Sequence, residues 1–213
     1  MKKNIADLRE EYTKAKLEVN EVSKDPVDQF MTWFDHAINS DIMEPNAMNL
    51  ATIYNEKVYS RIVLLKGVEE GAFLFYTNYS SDKGRQIEHN SNVALNFFWP
   101  ELERQVRIEG KATKVSSEVS DSYFKSRPRG SQIGAWVSPQ SQKIEAREVL
   151  EKKLSEVELK FAEKEVERPP HWGGYAVKPE RIEFWQGRSS RLHDRLSYTK
   201  EENGNWTIER LAP

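Results

Sequence analysis

The stretch Val58-Tyr-Ser-Arg-Ile-Val-Leu-Leu-Lys-Gly-Val-Glu-Glu-Gly-Ala-Phe-Leu-Phe-Tyr-Thr77 decides the fold class. Val58–Lys66 concentrates β-branched residues and leucine, Gly67–Gly71 reads as a turn, and Ala72–Thr77 is a second apolar run. Short runs of this composition bounded by glycine predict strands. Upstream, Ala47–Tyr54 alternates and stops at Asn55-Glu56. Downstream, Ser80–Asn90 predicts a short helix, and Val93–Trp99 and Arg104–Val115 predict two strands joined around Pro100. Strands at this spacing point to an antiparallel meander that closes or nearly closes.

The flanks add helices and a last group of strands. Asp25-Pro26 pairs an N-cap with a first helical position. Phe30, Trp33, Phe34, Ala37 and Ile38 then give an amphipathic helix. Before it, residues 1–24 are highly charged. Leu8, Tyr12, Ala15 and Val19 have helical spacing but little apolar support, which predicts a flexible arm. Glu118–Arg127 predicts a short helix stopped by Pro128. Ile144–Phe161 predicts a longer one with Ala146, Leu150, Leu154, Val157 and Phe161 as its apolar stripe. Strands are expected at Tyr175–Val177, Arg181–Gln186, Arg195–Lys200 and Trp206–Leu211, with a hairpin signal at Asn203-Gly204. With no repeat and no linker, the expectation is an arm over 1–24 and one α+β domain over 25–213 built on a β-barrel.

Composition narrows the function classes. The 32 basic and 34 acidic residues leave a net charge of −2, so no global basic field favours nucleic acid. Cysteine is absent, which removes disulfides, thiol nucleophiles and cysteine-ligated metal and fits a cytoplasmic protein. The first 20 residues lack the apolar core of a signal peptide. Dinucleotide-fold, P-loop, zinc-protease and nucleophile-elbow motifs are all missing. The four histidines His36, His89, His171 and His193 do not make a metal site; His36 and His89 read as ordinary helix residues.

Several groups could hold anions. Read as an extended strand, Trp185–Arg195 puts Arg191, His193 and Arg195 on one face, beside an apolar surface from Trp185. That face is either a solvated basic edge or a site for a planar anionic ligand. Tyr123 and Arg127 meet on one helix face, and Ser131 follows the Pro128-Arg129-Gly130 turn. Two hydroxyls and a guanidinium can hold a phosphate, although Arg127 could equally cap helix carbonyls. Arg61 and Lys66 bracket an apolar strand and point to opposite faces unless its end bends. Tyr76-Thr77 followed by Lys83 suits a second phosphate at a helix N-terminus. Gln105 offers an amide to a heterocycle edge, and Ser141, next to Gln140, is most simply the N-cap of the long helix. Together these donors favour phosphorylated small molecules over nucleic acid.

Arg61-Ile-Val-Leu-Leu-Lys66, Leu102-Glu-Arg-Gln-Val106, Ser126-Arg-Pro-Arg129, Ser131-Gln-Ile-Gly-Ala-Trp-Val-Ser138, Trp172-Gly-Gly174, Ile182-Glu-Phe-Trp-Gln-Gly187, Arg191-Leu-His-Asp-Arg195 and Arg210-Leu-Ala-Pro213 resemble the pyridoxine/pyridoxamine 5′-phosphate oxidases. The likeness runs from about residue 8 to the C-terminus. It implies an FMN-binding split β-barrel with peripheral helices, and a homodimer with FMN at the subunit interface. The implied activity is oxidation of pyridoxine 5′-phosphate or pyridoxamine 5′-phosphate to pyridoxal 5′-phosphate. Dioxygen is the electron acceptor, giving hydrogen peroxide, and ammonia leaves from the amine. Such an enzyme serves vitamin B6 salvage.

By resemblance, FMN contacts fall on Arg61, Ile62, Val63, Leu64, Leu65, Lys66, Tyr76, Thr77, Lys83, Gln105, Gln140, Ser141, Trp185 and Arg195. Substrate contacts fall on Lys66, Tyr123, Arg127, Ser131, Arg191, Leu192 and His193, with Arg191 and His193 as the catalytic pair. The arm residues Arg9, Glu10, Glu11 and Tyr12 match the family's element that folds over the substrate. No metal is implied. One departure concerns the FMN phosphate: the family often has arginine before the lysine, and here that position is Asp82. Either Asp82 turns outward, or Arg85, one helical turn on, compensates. Rival readings are another flavin or haem protein on the same barrel, a non-catalytic carrier of pyridoxal 5′-phosphate, and a nucleic-acid module. The first would not need Tyr123, Arg127 and Ser131 together with Arg191 and His193.

Overall fold

The structure, a computed structural model, describes residues 4–7 and 11–213. Among these are nine strands: β1 (Ala47–Tyr54), β2 (Lys57–Leu64), β3 (Gly67–Glu69), β4 (Ala72–Asn78), β5 (Asn92–Trp99), β6 (Arg104–Lys114), β7 (Trp172–Gln186), β8 (Asp194–Lys200) and β9 (Trp206–Leu211). Five helices accompany them: α1 (Pro26–Ile38), α2 (Asp82–His89), α3 (Ser117–Ser126), α4 (Arg129–Val137) and α5 (Arg147–Lys160). The hydrogen-bonded order is β2-β1-β5-β6-β7-β4-β3, with β8 on β7 and β9 on β8. The β3–β4, β4–β7, β7–β8 and β8–β9 pairs are antiparallel. This is the expected α+β class.

The chain forms two compact units. One comprises the residues up to Leu50, Ala94–Gly110 and Pro179–Pro213. Its helix α1 starts where Asp25 accepts hydrogen bonds from the amides of Val27 (2.7 Å) and Asp28, with Pro26 in the first turn. The apolar face buries Phe30, Trp33 and Ala37; Phe30 lies 5.0 Å from Phe97, and Trp33 meets Phe184 edge-on at 5.2 Å. The segment leading into α1 is tied down. Leu17 is buried, and its amide donates to Asp194 Oδ2 at 3.1 Å.

The other unit comprises Ala51–Val93 and Lys111–Lys178. Its helices α3, α4 and α5 share an apolar cluster of Phe124, Ile133, Val137, Val157, Phe161, Val166 and Trp172. Sequence patterning does not anticipate α4, because Gly130 and Gly134 lower its helix propensity. Burial of Ile133 and Val137, four apart on one face, decides it instead. Helix α5 begins at Arg147, not near Ile144, and its N-cap position is Ala146. Ser141 is therefore not a cap; it sits in the preceding loop with φ 69°. Leu154, expected in the buried stripe of α5, is 38% exposed.

Three strand expectations also change. Gly67–Glu69 is a strand rather than a turn. It pairs back on β4, so the turn narrows to Glu70-Gly71, both at positive φ as a two-residue hairpin requires. The two strands expected around Pro179 are one, β7. Its ladder to β4 ends at Val177 and its ladder to β8 begins at Arg181, so the missing N–H of Pro179 interrupts neither. Finally, Trp185–Arg195 is not one extended strand. β7 ends at Gln186, a tight turn covers Ser189–Arg191 with Ser190 and Arg191 at positive φ, and β8 begins at Asp194. Strand alternation therefore does not bring Arg191, His193 and Arg195 to one face.

Candidate active site

The second unit contains a cavity of about 650 Å³. Its wall includes Arg61, Ile62, Val63, Leu64, Lys66, Tyr76, Thr77, Lys83 and Gln140 of the expected cofactor set, and Tyr123, Arg127 and Ser131 of the expected substrate set. Leu65 is not part of the wall; it is buried. Ser141 is not part of it either. β2 ends at Leu64 and the Lys66 amide donates to Leu74 O at 2.8 Å. Arg61 lies on β2 and Lys66 beyond its end, and both line the same cavity.

One group of wall residues surrounds Lys83. Arg61 donates to Thr52 Oγ1 at 2.7 Å and Gln86 Oε1 at 2.6 Å, both uncharged. Lys83 Nζ donates to Gln140 Oε1 at 3.4 Å, which also accepts from Thr77 Oγ1 at 3.1 Å. Burial lowers the Lys83 ammonium below the usual lysine range, and the nearby Arg61 charge lowers it further. Burial also lowers Arg61, against an opposing pull from Asp82. Two cations held close in a partly desolvated wall are poised to receive an anion.

Asp82 Oδ1 accepts from Arg85 Nη2 at 2.5 Å, Arg85 Nη1 donates to Ser80 O at 2.7 Å, and both side chains are more than half exposed. Asp82 has turned outward. Arg85 is held by it and is not part of the cavity wall.

The other group is aromatic and cationic. Tyr76 stacks on Tyr123 at 3.8 Å, and both are nearly parallel to Trp172. Burial, with smaller contributions from Glu69, Tyr123 and Tyr79, pushes the Tyr76 hydroxyl up to about 12. Burial likewise raises Tyr123, against Arg127. Arg127 follows α3 in extended conformation, and its guanidinium lies 4.6 Å over the Trp172 ring. Its Nη1 is buried and has no hydrogen-bond partner among the described residues. This buried N–H donor shares the cavity wall with the hydroxyl residues Tyr123 and Ser131, a set of donors that could bind an oxyanion. Trp172 lines this wall although no role was expected for it.

The remaining expected residues lie in the first unit. Trp185 and Arg195 face each other across the β7–β8 register. Arg195 Nε donates to Glu183 Oε1 at 2.9 Å, and its Nη1 to Ala212 O at 2.7 Å. The Glu183 carboxylate raises the Arg195 pKa. Glu183 is 2% exposed and also pairs with Arg107 and Arg181. The anion expected against Arg195 thus includes a residue of the chain itself, Glu183, which the sequence did not point to because the pairing depends on the β7–β8 register.

His193 Nδ1 accepts from the Arg188 amide at 3.1 Å, and the ring lies 4.6 Å from Trp185. Burial, then the Arg191 charge, lowers its pKa. Tyr12 packs 5.7 Å from Trp185 and 5.8 Å from His193. Gln105 is partly buried on β6, Arg191, Leu192 and Glu11 are exposed, and Arg9 and Glu10 lie outside the described residues.

Comparison with known proteins identifies the family. Residues 34–161 match the family model described as pyridoxamine 5′-phosphate oxidase. The chain belongs to the pyridoxine/pyridoxamine 5′-phosphate oxidase family. Residues 172–213 match that family's C-terminal dimerisation region. A pyridoxine/pyridoxamine 5′-phosphate oxidase of Cytophaga hutchinsonii is 56% identical over 216 residues, covering 100% of both chains. One of Leptospira interrogans is 55% identical over 214 residues, again covering 100% of both.

Among solved structures, PhzG from Burkholderia lata, in complex with tetrahydrophenazine-1-carboxylic acid, aligns with TM-score 0.87 and 26% identity, over 94% of this chain and 100% of that one. A pyridoxamine 5′-phosphate oxidase-related, FMN-binding protein from Nostoc punctiforme aligns with TM-score 0.72 and 18% identity, over 90% and 100%, and shares the fold. The fold is thus the split barrel of this family. As a pyridoxine/pyridoxamine 5′-phosphate oxidase the chain is a flavin-dependent oxidoreductase with FMN as its cofactor. The residues present fit that cofactor: the cavity wall carries the cations Arg61 and Lys83 with Thr77 and Gln140, which could hold a phosphate, beside the apolar Ile62, Val63 and Leu64.

Proposed function

We propose that the chain catalyses oxidation of pyridoxine 5′-phosphate or pyridoxamine 5′-phosphate to pyridoxal 5′-phosphate in a homodimer with FMN at the subunit interface. Dioxygen is reduced to hydrogen peroxide. With the amine substrate, water is consumed and ammonia released. The observation that carries this reading is the Arg127 guanidinium, with a buried unpartnered Nη1, in the same cavity wall as the Arg61–Lys83 receptor. Two separate anion receptors in one cavity suit a phosphorylated cofactor and a phosphorylated substrate bound together. The rival flavin proteins would need only one receptor.

Bound FMN supplies the two-electron acceptor for oxidation at C4′. Arg61, Lys83, Thr77 and Gln140 would hold its phosphate, and Gln105, Trp185 and Arg195 would contact its ring system. Lys66, Tyr123, Arg127 and Ser131 bind the substrate phosphate and so fix one end of the pyridine. Arg191 orients the ring oxygen and stabilises negative charge there. His193, kept neutral at neutral pH by burial and by Arg191, can accept a proton at the C4′ substituent. Tyr12, packed on Trp185 and His193, excludes water from that end.

The test is anaerobic addition of pyridoxine 5′-phosphate to the FMN-loaded protein. Loss of the visible flavin band, restored by air, supports the reading. A flavoprotein that does not bleach with either substrate refutes it.

A further inference from the structure

Trp172 opens β7 in register with Asn78, and its backbone is held on both sides. Its amide donates to Pro169 O at 3.0 Å, and its carbonyl accepts from Arg168 Nη1 at 2.7 Å, with Arg168 itself paired to Asp121 at 2.6 Å. Phe124 meets the ring edge-on at 5.2 Å, and Tyr76 and Tyr123 lie parallel to it. The side chain is 6% exposed, so the ring plane has little freedom. On that plane rests the Arg127 guanidinium.

A guanidinium can be held in place in two ways. The neighbouring arginines illustrate one: Arg129 donates to the carbonyls of Phe161 and Lys164, and Arg168 pairs with Asp121. Partners of that kind consume N–H donors, and a carboxylate also cancels the charge and repels an incoming anion. An aromatic face holds the cation through its quadrupole and leaves every donor in the guanidinium plane free. Arg127 is held in this second way, and its Nη1 is unspent.

We propose that Trp172 is the positioning residue of the substrate-phosphate receptor: its ring carries the Arg127 guanidinium, keeps its charge and donors available, and thereby makes the enzyme select phosphorylated over unphosphorylated pyridoxine and pyridoxamine. The inference rests on the proposed reading that Arg127 takes the substrate phosphate. Trp172 acts through Arg127 and touches no reacting atom.

The experiment is a double-mutant cycle on the FMN-loaded enzyme. Trp172→Phe and Trp172→Leu are compared in the Arg127 and the Arg127→Ala backgrounds, with pyridoxine 5′-phosphate as substrate and inorganic phosphate as competitor. Trp172→Leu is expected to raise KM and the phosphate inhibition constant together by about 10-fold, with kcat changed less than about threefold. Trp172→Phe should fall between, because a benzene face attracts cations less strongly than indole. In the Arg127→Ala background both substitutions should leave KM within about twofold.

An equal effect of Trp172→Leu with and without the Arg127 side chain overturns the inference, as does a collapse of kcat with KM unmoved. Should the leucine variant not fold, Trp172→Phe, which keeps a ring in the cluster, carries the same cycle. If the wild-type protein oxidises neither substrate, the proposed function fails. Calorimetric binding of inorganic phosphate to the same variants then decides the inference: weaker binding in the Trp172 variants supports it, and equal binding refutes it.

Discussion

Removing the Glu183 carboxylate should be among the most damaging single changes to the first unit. Glu183 is 2% exposed and accepts from Arg195 Nε at 2.9 Å, Arg181 Nη2 at 3.2 Å and Arg107 Nη1 at 3.4 Å. Glu109 also pairs with Arg107 and Arg181, so those two keep a carboxylate when Glu183 is lost. Among the described residues Arg195 then keeps only its hydrogen bond to the Ala212 carbonyl.

Breaking a fully buried pair from one side costs about 3–5 kcal/mol. Here the guanidiniums are 43%, 31% and 25% exposed, so water screens part of the loss. Glu183→Ala should therefore destabilise by roughly 2–3 kcal/mol, and Glu183→Gln, which keeps one acceptor oxygen, by about 1–2 kcal/mol. Urea unfolding of the FMN-free protein reads both, as a lower midpoint at unchanged slope. The same variants should bind FMN more weakly, because Arg195 loses its anchor. A loss below about 0.5 kcal/mol for Glu183→Ala would refute the view that this carboxylate organises the three strands.

Other outcomes follow from the site. Lys83→Ala should weaken FMN binding by about 10-fold or more, the worth of a charged hydrogen bond, while Arg85→Ala should leave it within about twofold. Flavin fluorescence titration separates them, and a large Arg85 effect would overturn the outward placement of Asp82. The His193 midpoint followed by NMR should lie below 6.5, and Arg191→Ala should move it upward only partly, since burial is the larger cause. With its folded pKa below the unfolded 6.5, His193 contributes its full stability above pH 6.5, and that contribution falls as pH drops toward the folded value. A wild-type midpoint at or above 6.5 would contradict this.

Gly187→Ala would place a methyl 2.7 Å from Tyr12 Cγ. Tyr12 should then leave Trp185, speeding proteolysis in residues 11–16 and raising KM several-fold. Unchanged protease resistance would show that Tyr12 is not held there.

Much of the fold was legible because periodicity belongs to consecutive residues. The α1 cap at Asp25-Pro26, the alternation of Ala47–Tyr54 and the apolar run of Ala72–Thr77 all appear in the structure close to their expected bounds. Helix α4 escaped because its glycines speak against a helix, and only the buried cluster that receives Ile133 and Val137 outweighs them. Ser141 was misjudged because an N-cap is decided by backbone angles around it, not by residue type. In the site, Tyr123 and Arg127 do line one cavity, but not for the helical spacing expected: Arg127 lies past the end of α3 in extended conformation. Arg61 and Lys66 also share that cavity, although their spacing favoured two strand ends.

The sequence by itself determined most of the strands and helices, the donor types that an anion could meet, and the family. Those are properties of local pattern and of long matching motifs. Only the tertiary structure decided which charges are spent: Asp82 on Arg85, Arg195 on Glu183, and Arg127 on no carboxylate but on the face of Trp172. The physical reason is that the strength of an ion pair or a cation–π contact depends on distance and desolvation. For residues such as Arg127 and Trp172, far apart along the chain, strand register and helix packing set both.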